Sequence, residues 1–149
     1  MAESGACGLS ILPHWEHFEH DADIGIRGIA PTLEQAYEQA ALAMTAVITD
    51  VALVSPSVVV RIACDAEDAE LLFLSWINEL IYQMAVQHLL FSRFEVAIQG
   101  SRLSAIAYGE PVDQIKHQPA VEIKGGTFTE LIVHQCDDGS WLAQCVVDV

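Results

Sequence analysis

Residues 65–87 constrain the fold of this chain most, because they have the pattern of one long apolar helix. We expect Asp65 to be its N-cap, since the acidic residues that follow suit the positive end of a helix dipole. Leu72 and Leu74 widen an apolar face that repeats at three- and four-residue spacing, formed by Phe73, Trp76, Ile77, Leu80 and Met84. A helix of this kind requires cover on more than one side, so we expect it at the centre of the domain, with Trp76 as a core residue.

A shorter helix is predicted upstream, where Thr32 and Gln35 form a capping-box pattern after Pro31. Small apolar residues continue from there to Ile48 at helical spacing, which lets one face approach a sheet closely. The β-branched run within residues 57–64 is too short for a helix and predicts a strand.

The remaining segments predict strands. Alternating residues at 14–20 and 24–29 flank an acidic turn, and residues 94–98 and 102–108 flank Gly100 as a hairpin. Residues 121–124, 128–134 and 141–149 predict three more strands. Because hairpins imply antiparallel pairing, we predict an α+β fold, in which two helices pack on a mainly antiparallel or mixed β-sheet. The order of the strands is not defined by these patterns.

The length and the hydrophobic content suit one domain, since the chain has 149 residues, of which 52% are hydrophobic. We expect residues 1–13 to be a flexible N-terminal leader and residues 14–149 to form a single domain. The leader lacks the basic and apolar regions of a signal peptide, so we expect a soluble cytoplasmic protein with no membrane contact.

The formal charge of −15 comes from 21 acidic and six basic residues, and it repels the phosphates of nucleic acids. We therefore expect any contact with RNA to pass through a basic partner protein. An acidic surface that only maintains solubility fits the charge equally well. The four cysteines form no CxxC pair, so neither a zinc ribbon nor a redox motif is indicated.

Candidate metal ligands lie near both ends of the predicted domain. Asp21 and Asp23 follow His20 at a turn, and Asp148 and Val149 stand at the far end of the chain. Carboxylate and main-chain oxygens are the donors that calcium and magnesium prefer. The two groups would meet only if the first and last strands were neighbours, and otherwise Asp21 and Asp23 are turn residues. His20 could support a carboxylate, bind a metal or simply end a strand.

Other candidates are weaker. Glu110 and Lys124 could line the same cavity or be ordinary surface charges. Asp113 and His117 would share a helix face, but the prolines on both sides argue against a long helix, so we expect a solvated polar loop. The phosphate-binding loop, the serine elbow and the His-Glu-x-x-His motif are all missing from the sequence.

The run His20-Asp21-Ala22-Asp23-Ile24-Gly25 and its surroundings closely resemble the opening of the archease family. The resemblance continues in order through residues 32–44, 72–82, 109–117 and 141–149, and it covers about residues 14–149. It implies an archease-like α+β domain, related to strand-helix-strand-strand modules.

The function that the resemblance implies is that of an accessory protein for an RtcB-type RNA ligase in tRNA splicing and RNA repair. Archeases are not ligases themselves; they promote the GTP-dependent guanylylation and the multiple turnover of the ligase. Asp23 and Asp148 match the family's implied metal ligands, and Val149 would add main-chain oxygens. Calcium is the ion that we expect first, with magnesium or manganese as alternatives. The oligomeric state is not implied.

Two departures from the family pattern concern individual positions. Many members have Thr where this chain has Asp21, and a His of the family is replaced by Thr129, whereas Lys124 is retained. Two other classes of function remain open on the residues alone. One is a metal-dependent phosphoester hydrolase that uses the same carboxylates, and the other is an acidic protein-binding adaptor.

Overall fold

A computed structural model describes residues 12–149 of the chain, and most of the predicted leader lies outside these residues. The strands in the described part are β1 (His14–His20), β2 (Asp23–Ala30), β3 (Val58–Asp65), β4 (Leu89–Gln99), β5 (Arg102–Pro111), β6 (Gly125–Gly126), β7 (Ile132–Gln135) and β8 (Trp141–Asp148). The helices are α1 (Leu33–Ile48), α2 (Ala69–Gln87) and the single turn α3 (Gln114–His117), and a 3-10 turn follows α1 at Val51–Leu53.

The strands form two sheets, and every pair of neighbours is antiparallel. One sheet has the order β1-β2-β8-β6, with β7 also paired to β8, and the other has the order β3-β5-β4. Helix α1 contacts β2 in the first sheet and β4 in the second. The predicted α+β fold with antiparallel pairing is confirmed, although the strands divide between two sheets where we expected one.

Helix α1 begins as the sequence predicts. The hydroxyl of Thr32 accepts a hydrogen bond from the backbone N–H of Gln35 at 3.1 Å. Its alanine face lies directly against β2, where a Cβ placed on Gly28 would be 2.0 Å from the carbonyl oxygen of Ala36. Glycine is therefore required at this crossing, because any side chain would collide with helix backbone.

The predicted start of α2 is wrong by three residues. Asp65 continues β3 and pairs with Arg102 of β5, whereas Asp68 caps the helix by accepting from the backbone N–H of Leu71 at 2.8 Å. The central position of α2 is confirmed, because Trp76 is fully buried and donates from Nε1 to the carbonyl oxygen of Tyr37 at 3.0 Å. No helix within residues 12–149 has the length and apolar character needed to cross a membrane.

The predicted strand at residues 121–124 is wrong, since this stretch is irregular and the paired residues are Gly125 and Gly126. Helix α2 holds this pair of glycines in place, because the side-chain oxygen of Asn78 accepts a hydrogen bond from the backbone N–H of Gly126 at 2.8 Å. A Cβ on Gly126 would lie 3.1 Å from Leu74 Cδ1. Strand propensity depends on neighbouring residues in the sequence, so it does not predict these contacts with α2.

Candidate functional site at the end of β2 and β8

The hairpin between β1 and β2 turns at the acidic motif. His20 pairs with Asp23 across the two strands, and Asp21 occupies the turn with φ of 53°. An aspartate tolerates this left-handed conformation better than most residues do. The turn thus places Asp23 at the first position of a central strand.

The register of β2 and β8 brings Asp23 and Asp148 together. Ile24 pairs with Val147, so one step further along the register places Asp23 opposite Asp148. Directly opposite residues of an antiparallel pair project from the same face. The backbone N–H of Val149 donates to Asp23 Oδ1 at 3.3 Å, which joins the start of β2 to the end of the chain. The structure therefore unites three of the sequence-predicted site residues.

Lys124 also reaches this end of the sheet through its backbone. Its N–H donates to the carbonyl oxygen of Asp148 at 2.7 Å, and the next residue, Gly125, pairs with Asp148 in β6. This contact ties the residue that precedes β6 to the end of β8.

His20 and Asp21 interact with each other at the edge of the site. His20 Nδ1 lies 3.7 Å from Asp21 Oδ2, and the Asp21 side chain is 91% exposed. The Asp21 side chain therefore points into solvent at the turn. Among the described residues of the turn, Asp23 is the one that accepts a hydrogen bond from Val149.

Glu110 belongs to a different group of contacts. Its Oε2 atom accepts from Ser55 N at 2.9 Å, from Lys116 Nζ at 2.7 Å and from His117 Nε2 at 2.8 Å. The hydrogen bond from Lys116 contributes most to lowering the pKa of Glu110 to about 2, followed by the bonds from Ser55 and His117. The three donors hold this carboxylate ionised as a structural anchor.

The expected solvated loop around His117 is not observed, because His117 is buried at the end of α3. Its Nδ1 atom accepts from the backbone N–H of Asp113 at 2.9 Å, so Nε2 must carry the proton that is donated to Glu110. Both ring nitrogens are occupied, and the backbone carbonyl accepts from the hydroxyl of Thr49 at 2.6 Å. His117 thus anchors α3 to the rest of the fold.

The acidic end of β2 and β8 has the donor chemistry of a site for a hard cation. Within residues 12–149 no group of three or more His, Cys, Asp or Glu side chains is placed to hold a metal ion. The available donors are the carboxylates of Asp23 and Asp148 and the main-chain oxygens of the last residues. Since calcium takes six to eight oxygen ligands, these residues could supply only part of a coordination shell, and its other ligands would have to come from elsewhere.

The role of Asn78 at this end of the molecule was not predicted from the sequence. Its hydrogen bond to Gly126 attaches β6, and with β6 the neighbourhood of Asp148, to the central helix. The only local signal is a polar residue beside the apolar face of a buried helix, next to Ile77. Such a position identifies a polar contact but not its partner.

These features define a class of protein: a small α+β domain with two antiparallel sheets, two main helices and an open acidic site where the first hairpin meets the last strand. The Archease protein family (MTH1598/TM1083) matches residues 15–149. The chain belongs to this family.

Individual relatives agree with this assignment. The chain is 41% identical to protein archease of Pyrococcus furiosus over 142 residues, which cover 93% of this chain and 100% of that protein. It is 34% identical to protein archease of Methanopyrus kandleri over 139 residues, which cover 91% of this chain and 99% of that protein. The solution structure of Methanobacterium thermoautotrophicum protein 1598 superposes with a TM-score of 0.80 at 32% identity, covering 91% of this chain and 98% of that one.

Proposed function

We propose that this archease is an accessory activator of an RtcB-type RNA ligase, acting in the cytoplasm in tRNA splicing and RNA repair. It promotes guanylylation of the ligase by GTP and multiple turnover, and it is not itself a ligase. Family membership supports the accessory role. The observation that carries the assignment to a site is the register that sets Asp23 opposite Asp148, with Val149 bound to Asp23.

Asp23, Asp148 and the main-chain oxygens of Val149 are the groups that would hold a divalent ion, with calcium expected first and magnesium or manganese as alternatives. A bound divalent ion supplies positive charge that stabilises phosphate oxygens. The open side of the site suits use on another enzyme, because ligands from the ligase or its nucleotide can complete the shell. Asp21, His20 and Lys124 contribute charge and support around it.

The surface charge supports a basic partner. A formal charge of −15 attracts a protein that carries the cationic surface needed to bind RNA. This attraction acts mainly on the association rate and is screened by salt. Binding to the ligase should therefore weaken as the salt concentration rises, and RNA should be contacted only through the ligase.

The proposal is tested by RNA ligation with a catalytic amount of the purified ligase, GTP and a divalent ion, in the presence and absence of this protein. In the presence of the wild-type protein, each ligase molecule should complete many rounds of ligation, whereas the ligase alone should complete a single round. Asp23→Asn and Asp148→Asn should each reduce this stimulation by about tenfold or more, since even the loss of a group that only supports a metal ligand reduces metal affinity by about 10- to 100-fold.

Asp137→Asn is the matched control, because this exposed carboxylate lies in the turn before β8, at the opposite end of the strand from Asp148. It removes the same charge and should leave stimulation unchanged. No stimulation by wild type would contradict the proposal. Turnover of a phosphoester without ligase would indicate the hydrolase instead, and full stimulation by both site variants without divalent metal would indicate the simple adaptor.

A further inference from the structure

We propose that a groove along α2 receives an arginine-bearing, basic segment of the partner protein. The groove, called here the α2 groove, has a volume of about 730 Å³, and its lining includes Cys64, Glu67, Asn78, Glu79, Tyr82 and Phe128. This inference rests on the proposed function, because it names a surface that the ligase occupies.

Two aromatic side chains at the α2 groove are exposed to solvent. Phe128 is 73% exposed and Tyr82 is 58% exposed, whereas Phe73 and Trp76 on the same helix as Tyr82 are fully buried. Exposed aromatic rings in a groove are typical of contact surfaces, because they supply a large contact area at a low cost in side-chain entropy. The α2 groove therefore has the apolar component of a protein-binding site.

The charges in the α2 groove are all negative. Glu67 and Glu79 line it, no Lys or Arg does, and neither glutamate forms an ion pair within residues 12–149. Glu79 Oε2 accepts only from the neutral amide of Gln83, at 2.9 Å. The pKa of Cys64 is raised to about 11, first by burial and then by the nearby carboxylates of Glu79 and Asp65.

Hydrogen bonds link the segment that lines the α2 groove to the strand that carries Asp148. The segment that carries Phe128 is held by Asn78 through Gly126, and the Thr127 hydroxyl donates to the carbonyl oxygen of Val146 at 2.9 Å. Gly125 in turn pairs with Asp148. These contacts connect the segment that carries Phe128 to the end of β8.

Arginine is the side chain that matches this combination of groups. Its planar guanidinium stacks on aromatic rings and forms charge-assisted hydrogen bonds with carboxylates at the same time. A second copy of this chain does not match, because its net charge of −15 would oppose the carboxylates of the α2 groove. The occupant is thus a basic segment, and within the proposed function it belongs to the ligase.

The test measures the Kd of the purified ligase for wild type, Phe128→Ala, Glu79→Gln and Glu79→Lys by calorimetry at one fixed salt concentration. Phe128→Ala and Glu79→Gln should each weaken binding about tenfold, as is typical of residues at the centre of an interface, and Glu79→Lys should weaken it further. Ile115→Ala is the matched control, since Ile115 is 86% exposed on α3 and does not line the groove. It should change the Kd by less than about twofold.

The outcomes separate this inference from the function on which it rests. If wild type binds and stimulates the ligase while Phe128→Ala and Glu79→Gln bind equally well, the groove is not the docking surface and the proposed function stands. If only Phe128→Ala weakens binding and Glu79→Lys does not, the occupant is apolar and its assignment as a basic segment is wrong. If wild type neither binds nor stimulates, both proposals fail. Calcium binding measured on each variant confirms that the acidic site and the fold are intact.

Discussion

The crossing of β2 and α1 offers the sharpest test of the fold that positions Asp23. In Gly28→Ala, the new Cβ would lie 2.0 Å from the carbonyl oxygen of Ala36 and 2.5 Å from the backbone nitrogen of Ala40. Real Cβ atoms essentially never approach within 3.0 Å, so the helix must retreat by about 1 Å. Gaps of about 0.5–1 Å remove a quarter to a half of the dispersion energy of each contact.

We expect Gly28→Ala to lower the free energy of unfolding by about 3 kcal/mol, at the upper end for overpacked cores, because both colliding atoms belong to helix backbone. For a domain of this size, that loss lowers Tm by roughly 6–12 °C. Gly125→Ala is the control, since its Cβ would meet Asn78 Oδ1 at an ordinary 3.6 Å, and it should change stability by less than about 0.5 kcal/mol.

Urea unfolding at fixed pH, followed by circular dichroism, gives both free energies with a common m-value. A Gly28→Ala protein that unfolds within about 0.5 kcal/mol of wild type would refute the reasoning, because the helix would then have room for a methyl group that the structure denies. A large loss in Gly125→Ala as well would show that glycine content alone, and not the close approach of the helix, controls stability.

Three further predictions use simpler measurements. Asp68→Ala should lower the free energy of unfolding by about 1 kcal/mol, because Asp68 is the N-cap of α2. Asp65→Ala should lower it by less, because the ion pair of Asp65 with Arg102 is exposed. Equal losses would contradict the revised start of the helix. The pKa of Glu110 is lowered to about 2, so the stability that wild type has over Glu110→Gln should be complete above about pH 4.5 and disappear as the pH falls toward 2; a pH-independent difference in urea unfolding would oppose this. Calcium titration by calorimetry should show binding to wild type that Asp23→Asn weakens by at least about tenfold, and unchanged affinity in that variant would remove Asp23 from the site.

Much of the fold follows from local sequence patterns. The N-cap at Thr32, the end of α2 at Gln87 and the hairpin around Gly100, with φ of 60°, all agree with the structure. These features depend on residues within a few positions of one another, so helix spacing, capping and turn chemistry are sufficient to predict them.

The errors occur where distant residues decide the local structure. Asp65, Glu67 and Asp68 are all acidic residues within one turn, and the cap falls on Asp68 because pairing with Arg102 keeps Asp65 in β3. His117 looked like part of a polar loop, yet Glu110 supplies the carboxylate that allows the ring to be buried. Tertiary contacts override local preference in both cases.

The candidate site, like the fold, was predicted only in part from the sequence. Asp23 and Asp148 were predicted as carboxylates suited to a hard cation, but their chemistry contains no information on whether β2 and β8 are neighbours. The resemblance to the archease family implied their association, and continuing the register of the two strands one step beyond the pair Ile24–Val147 places them opposite each other. The exposed aromatic rings of the α2 groove were not predicted, because Tyr82 and Phe128 line one groove only after α2 and the segment before β7 have packed.

The most direct test of the central claim is the formation of guanylylated ligase, measured with radiolabelled GTP before any RNA is added. Wild type and Asp137→Asn should accelerate this step equally, while Asp23→Asn and Asp148→Asn should leave it within about twofold of the rate of ligase alone, because each has lost a carboxylate that holds the cation. Equal acceleration by all four proteins would contradict the account, since the paired carboxylates would then have no part in activation.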